Sequence, residues 1–214
     1  MKKLFAGLLM MIVLPFAANA ANYQEGNQYT KVNEAASKKP EVREYFSYYC
    51  PHCLRFEPFF TDLKKTLPAG VNFERNHVDF LQFTTPEIQF MVTKALVTAQ
   101  QLKVEDKISG ALFNYIQVQR APITEEKDVR NIFVLQGVDG AAFDKAFKSF
   151  SVNSKAKMMQ KYQNDLVRKR ALTGVPTVVV NGKYRINVQK LDRKNFEQDY
   201  QNLVKHLLSL DSAS

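Results

Sequence analysis

The chain has 214 residues, 45% of them hydrophobic, with 30 Lys and Arg against 21 Asp and Glu for a net charge of +9, and only two cysteines. No stretch after the first twenty residues is long and uncharged enough to span a bilayer. The basic excess is not interleaved with exposed aromatics as nucleic-acid binding would want, so no nucleic-acid role is expected, and the charge reads mainly as solvated helical surface, with attraction to an anionic membrane left open.

Met1-Lys2-Lys3, the apolar run Leu4 to Phe16 and Ala18-Asn19-Ala20 have the three parts of a secretory signal peptide, with cleavage expected after Ala20. Removing those 20 residues from 214 leaves 194 and, with Lys2 and Lys3 gone, a charge of +7. That is enough for one sizeable core or two small lobes. The mature protein is expected to be exported and soluble. In an oxidising compartment a lone cysteine pair can remain bonded, whereas in cytosol a metal site would weigh more.

Strand and helix signals alternate from Val32 to Phe80: a strand over Glu41 to Tyr48, a helix over Pro51 to Leu67 and a strand over Phe73 to Phe80, a βαβ unit. From Thr85-Pro86 the pattern turns helical, with Ile88, Val92, Ala95, Ala99 and Leu102 in one stripe. Thr124 reads as the N-cap of a helix carrying Val129, Ile132 and Phe133 and stopped by Gly137, and Phe143, Phe147 and Phe150 mark another. Strand signals return at Thr177 to Val180, and Asn181-Gly182 then predicts a two-residue hairpin into Lys183 to Ile186. Asp192 is expected to cap a last helix with Phe196, Tyr200, Leu203 and Leu207 on its apolar face. These shifts of period suggest an insertion rather than two successive domains: signal peptide 1–20, first part of an α/β domain 21–81, helical insertion 82–163, second part 164–214.

Cys50-Pro51-His52-Cys53 sits at the expected strand-to-helix junction, and a CxxC pair there is what dithiol and disulfide exchange requires. Pro51 suits the first helical turn, where its missing N–H costs nothing, and Phe56, Phe59, Phe60 and Leu63 follow at helical spacing. Cys50 would cap that helix. Its sulfur would face unpaired N–H groups and the positive end of the helix dipole, with His52 adding a second positive or hydrogen-bonding influence. Such settings depress thiol pKa values to roughly 3.5 to 7.5, which stabilises the reduced form and makes the disulfide a stronger oxidant.

The competing readings are a structural bridge, a zinc site and a haem attachment. A bridge closing so small a loop removes little unfolded-chain entropy. Zinc would need His77 and His206 beside the two thiols, and those histidines are far apart in sequence. Haem attachment needs a histidine where Leu54 stands. Glu44 shares a strand face with Val42, Phe46 and Tyr48. A carboxylate buried there needs a partner or a task. It would either pair with Arg75 or exchange protons with Cys53 through water. The Phe56, Phe59 and Phe60 rings read mostly as core, and His77 and His206 as surface or strand histidines.

With Phe46-Ser47-Tyr48-Tyr49-Cys50-Pro51-His52-Cys53, the start Ala21-Asn22-Tyr23, Gly174-Val175-Pro176 and Val180-Asn181-Gly182-Lys183-Tyr184, nearly the whole chain resembles the DsbA family of bacterial periplasmic thiol oxidases. The resemblance implies a thioredoxin fold interrupted by a helical domain. It implies that Cys50 is the exposed sulfur that attacks and is attacked, that Cys53 is its buried partner and that His52 tunes oxidising power. Val175-Pro176 would carry the cis-proline facing the disulfide, where an extended substrate segment could bond to the Val175 backbone, and Glu44 would be the buried acid beneath the motif. Reduced, newly exported proteins would be the substrates and a DsbB-like membrane quinone reductase the reoxidant, with no cofactor or metal and a monomeric enzyme. An acidic, oxidising cysteine is a known property of that family, so the thiolate argument agrees with it rather than discovering it. The chain departs from the enteric pattern at Thr173, often an arginine there, and at Val188, a proline there. It also has a shorter helix after Cys53, and Arg75 stands where lysine is common. These departures bear on substrate preference and reoxidase docking more than on chemistry. A reductase or isomerase on the same fold, and a non-catalytic exported peptide-binding or zinc-binding module, are the alternative functions.

Overall fold

The computed structural model describes residues 23–211. The expected leader, its cleavage after Ala20 and the start Ala21-Asn22 lie outside the described residues.

Five strands form one sheet in the order β1-β5-β4-β2-β3: β1 (Tyr29–Lys31), β2 (Glu41–Phe46), β3 (Asn72–His77), β4 (Thr177–Val180) and β5 (Tyr184–Ile186). The expected βαβ unit is present, because β2 and β3 pair in parallel and helix α1 (Pro51–Thr66) connects them. The hairpin is present too: β4 runs antiparallel to both β2 and β5, and Asn181 and Gly182 sit at φ 52° and 62°. Both central residues of the Val180–Lys183 turn are therefore left-handed, but Val180 pairs with Tyr184, so the loop has three residues, Asn181 to Lys183, and not the expected two. The register sets Glu44 beside Arg75 on one neighbour and Val178 on the other.

Between β3 and β4 the chain is helical. It forms α2 (Pro86–Gln101), α3 (Glu105–Phe113), one π-helical turn (Asn114–Val118), α4 (Glu126–Leu135), α5 (Gly140–Phe147) and α6 (Phe150–Arg168). A short 3₁₀ turn and α7 (Phe196–Ser209) close the chain. One core cluster joins Val92, Leu96, Ile108, Phe113, Phe133 and Phe143 of the helices to Phe46, Tyr48 and both cysteines. A second packs Phe60 and Leu63 of α1 and Tyr200, Leu203 and Leu207 of α7 against Val42, Val178 and Val180. The redox motif is thus cored by the helical insert, while the far end of α1 is cored by the sheet and α7. The expected boundary at 163/164 falls within α6.

Several expected edges move for local reasons. The β2 strand stops at Phe46 instead of Tyr48 because Ser47 begins a turn: its carbonyl accepts from Cys50 N at 3.0 Å and its hydroxyl from Tyr49 N at 3.2 Å. The N-cap of α4 is Glu125, one residue after Thr124, whose N–H and hydroxyl instead donate to Asp128. Gly137 ends that region at φ 81° as expected. Phe150 does not continue the stripe of Phe143 and Phe147, because Ser149 caps a new helix and leaves Phe150 87% exposed at its first position. Asp192 caps the turn before α7 and not the helix itself, accepting from Lys194 N at 2.8 Å, while α7 begins after Asn195. His77 is a strand residue but wholly internal, 1% exposed.

Candidate active site

Pro51 occupies the first turn of α1 and Cys50 is its N-cap, with extended backbone at φ −88° and ψ 117°. The Cys50 sulfur accepts from Cys53 N at 3.4 Å and reaches the Val175 carbonyl at 3.5 Å. The Val175-Pro176 peptide bond, in the loop before β4, is cis. Two chain segments 125 residues apart therefore meet at one sulfur. Both cysteines are free thiols.

Cys50 is 4% exposed and Cys53 1%, so the exposed nucleophile that the resemblance implies is in fact nearly covered. The backbone of the motif is held by Gln117, which sequence reading missed. Its side-chain amide donates to the carbonyls of Tyr48 at 2.7 Å and Cys50 at 3.0 Å, tying the π-helical turn to the redox loop. Nothing in the sequence flags a single glutamine for this, since a wide helical turn becomes visible only when the insert is folded against the motif. His52 is exposed at the mouth, with its Nδ1 2.6 Å from Arg55 Nη2.

The two sulfurs sit in opposed electrostatic settings. The Cys50 pKa is lowered to about 6, chiefly because the Cys53 thiol hydrogen-bonds to it. Burial opposes this, and the backbone N–H groups of Cys53 and His52 and the charge of His52 assist. Cys53 is pushed far above the ordinary thiol range by donating that same hydrogen bond, then by burial and by the negative charges of Cys50 and Glu44. A dithiol of this kind ionises at one sulfur and keeps its proton at the other.

Beneath it Glu44 is 1% exposed and pairs with Arg75, the first of the two expectations for it. Arg75 Nε donates to Glu44 at 3.0 Å, Arg75 Nη2 donates to Glu57 of α1, and the guanidinium lies over the Phe46 ring at 4.0 Å. Burial pushes the Glu44 carboxyl up to about 7 despite Arg75, with Glu57 adding repulsion. Glu57, Arg75 and Ser109 also line an open cleft of about 380 Å³. Tyr48 donates or accepts a 2.8 Å bond with Ser109 and stacks on His77, whose pKa burial lowers to about 3.

The histidines of the zinc reading are engaged elsewhere. His77 Nδ1 bonds Thr93 at 2.9 Å, and the His206 ring packs 5.4 Å from that of Tyr23, which belongs to the other core cluster. Phe56, Phe59 and Phe60 pack on one another and on Phe196 or Tyr200. They belong to that second core.

A βαβ unit completed by an antiparallel hairpin, with a CxxC dithiol at the helix start facing a cis-proline loop, defines a thioredoxin-fold thiol:disulfide oxidoreductase. Comparison with known proteins narrows the class. The model of the DSBA-like thioredoxin domain matches residues 41–201. The chain is 38% identical to the thiol:disulfide interchange protein DsbA of Pectobacterium carotovorum, over 98% of this chain and 99% of that one. It is equally 38% identical to DsbA of Salmonella typhimurium, over 97% and 99%. Among solved structures it is similar to Proteus mirabilis DsbA in complex with a non-covalently bound peptide, at a TM-score of 0.78 and 33% identity, over 88% of this chain and 100% of that one. The chain belongs to the DsbA family, and its enzymatic class is thiol:disulfide oxidoreductase.

Proposed function

We propose that the chain is a periplasmic, monomeric disulfide donor acting on reduced, newly exported proteins, with Cys50 as the sulfur that is attacked. The observation that carries this is the split between the sulfurs: Cys50 at the helix N-cap with a pKa of about 6, and Cys53 held protonated above a buried carboxylate. In the oxidised enzyme a substrate thiolate attacks Cys50 Sγ. The Cys50–Cys53 bond breaks, its electron pair leaves on Cys53, and Cys53 takes up a proton because its thiolate is disfavoured. A second substrate thiolate then attacks the substrate sulfur of the mixed disulfide, and Cys50 leaves as a stabilised thiolate. The substrate gains a disulfide and the enzyme two electrons.

Each remaining residue has a role in that sequence. Pro51 and His52 shape the turn between the sulfurs, and His52 adds positive charge beside Cys50. Glu44, with a pKa near neutrality, is suited to pass the Cys53 proton toward the cleft lined by Glu57 and Arg75. The backbone of Val175, next to Pro176, offers an edge to which an extended substrate segment can add. A DsbB-like membrane quinone reductase would accept the two electrons and restore the disulfide; among the described residues no helix is long and apolar enough to cross a membrane, so a separate membrane partner fits. The helical insertion from about residue 82 is the element that holds the backbone of the motif through Gln117.

The test is trapping. Cys53→Ala, incubated with a reduced exported protein that carries a single cysteine after Cys50 has been activated as a glutathione mixed disulfide, should retain a covalent enzyme–substrate complex on non-reducing gels. Recovery of the complex from spheroplast supernatants, at the mass of one enzyme plus one substrate, addresses compartment and stoichiometry together. A Cys50→Ser protein that still oxidises substrate would refute the assignment.

A further inference from the structure

The basic excess is not spread over the chain. Lys145 to Lys190 holds eleven Lys and Arg but one acid, Asp165, a net of +10 against +9 for the whole sequence, so everything else sums to −1. The part of that segment most open to solvent is α6, whose 19 residues span about 28 Å. Its inner face is buried through Val152, Ala156, Met159, Gln163 and Leu166. At 100° per residue Phe150, Lys157, Lys161 and Arg168 fall within about 20° of one line along the outer face, and all four are exposed.

Among the described residues neither Lys157 nor Lys161 has a carboxylate partner, whereas Arg168 and Lys169 share Asp165. The like charges at Lys157 and Lys161 repel along the helix, a cost that a solvated helix reduces by placing Glu or Asp at such spacings. Lys157, Lys161 and Arg168 line one shallow depression with Gln160 and Asn164 between them, so cations and amide donors face the same space. Phe150 heads this stripe and is 87% exposed, with the polar Ser154 and Asn164 within about 40° of it; Met158 lies about 80° round the helix, and Tyr162, about 120° round, packs under the Arg43 guanidinium at 4.8 Å. Unpaired cations in line with an exposed aromatic at the helix start fit a helix that lies on a phospholipid surface, with the cations at headgroup phosphates and the ring below them.

We infer that the outer face of α6 is a docking surface for anionic phospholipid bilayer, with Lys157 and Lys161 as phosphate contacts and Phe150 as the apolar wedge. This surface does not depend on the redox chemistry, so the two stand or fall separately. Binding there would hold the enzyme at a membrane reversibly, since a few lysines and one ring give only a weak anchor.

The test uses the exported protein, its N-terminus read by mass spectrometry, in co-sedimentation with vesicles of phosphatidylcholine alone or with 30% phosphatidylglycerol. Binding should require the anionic lipid and weaken as salt is raised. Lys157→Glu with Lys161→Glu should reduce it at least tenfold and Phe150→Ala severalfold, with thiol–disulfide exchange unchanged in both as the check of folding. Lys194→Glu with Lys205→Glu makes the same charge change outside the segment and should cost less than threefold. The inference is overturned by any of three results: no binding to anionic vesicles, an equal loss in the Lys194 and Lys205 pair, or tighter binding to single-stranded RNA than to vesicles.

Discussion

Cys50 and Cys53 are one helical turn apart, yet the molecule treats them as opposites. Around Cys50 the Cys53 thiol and the backbone N–H groups opening α1 donate and His52 adds its charge, against one acceptor, the Val175 carbonyl at 3.5 Å. Around Cys53 the surroundings are low in polarity and negative, with Glu44 beneath and Cys50 above. Burial alone would raise both thiols; what separates them first is the hydrogen bond that the Cys53 thiol donates to Cys50, and then the unpaired backbone donors that only the upper sulfur meets at the helix start. One layer stabilises an anion and the other resists it, and an oxidising disulfide needs both, because the dithiol it leaves behind must be the stable form.

The comparison breaks most completely at the upper sulfur. Cys50→Ser should reduce exchange with a reduced peptide to the uncatalysed level, a loss of several orders of magnitude in initial rate, since the hydroxyl ionises far above any working pH. The reverse change in the lower layer should move only the lower sulfur. Glu44→Gln removes a negative charge from beneath Cys53, so the second alkylation, that of Cys53 at high pH, should speed up by about tenfold while the Cys50 midpoint stays within about 0.3 pH unit.

Linkage sharpens the contrast. The Cys50 pKa of about 6 lies below the unfolded thiol value of about 8.5. Between those limits the folded reduced protein holds fewer protons than the unfolded one, so its stability rises with pH, an advantage lost as pH falls through 6. Glu44 has the opposite sign. Its carboxyl is raised to about 7, so the folded form keeps a proton that the unfolded chain has lost, and stability falls as pH rises from about 4.5 to 7. Because Glu44 is present in both redox forms, the urea midpoint of the reduced protein minus that of the oxidised one should grow between pH 6 and 8.5. Smaller effects follow at the mouth. His52→Ala should raise the Cys50 midpoint by about 0.5 to 1 pH unit, or about 15 to 30 mV less oxidising in glutathione buffers. Arg55→Ala, which removes an exposed contact, should move it by less than about 0.3.

Much of this contrast was legible in the residues. The capping position of Cys50 follows from Pro51 and the apolar spacing behind it, and the burial of Glu44 from the alternation of β2, with Arg75 as its partner one of two open readings. Glu57 was invisible as the second partner of Arg75, because α1 reads as an apolar stripe and its polar side gives no sign of which strand it overlies. Gln117 was hidden for a related reason, since its partners are backbone carbonyls 67 and 69 residues away. The β1 strand was missed because three residues offer no alternation to detect. Phe150 was misassigned because period alone joins it to Phe147; the Ser149 cap between them, accepting from Val152 N at 3.2 Å, is what separates two helices.

One thiol of the pair ionises near pH 6 while the other stays protonated. Thiolate absorbance at 240 nm of the reduced protein, followed from pH 3 to 10 with the disulfide form as blank, tests it most directly. A single thiolate step centred near 6 is expected, absent in Cys50→Ser, with no second step below pH 9. A step centred at 8 or above, or an amplitude of two thiolates rising together, would contradict it.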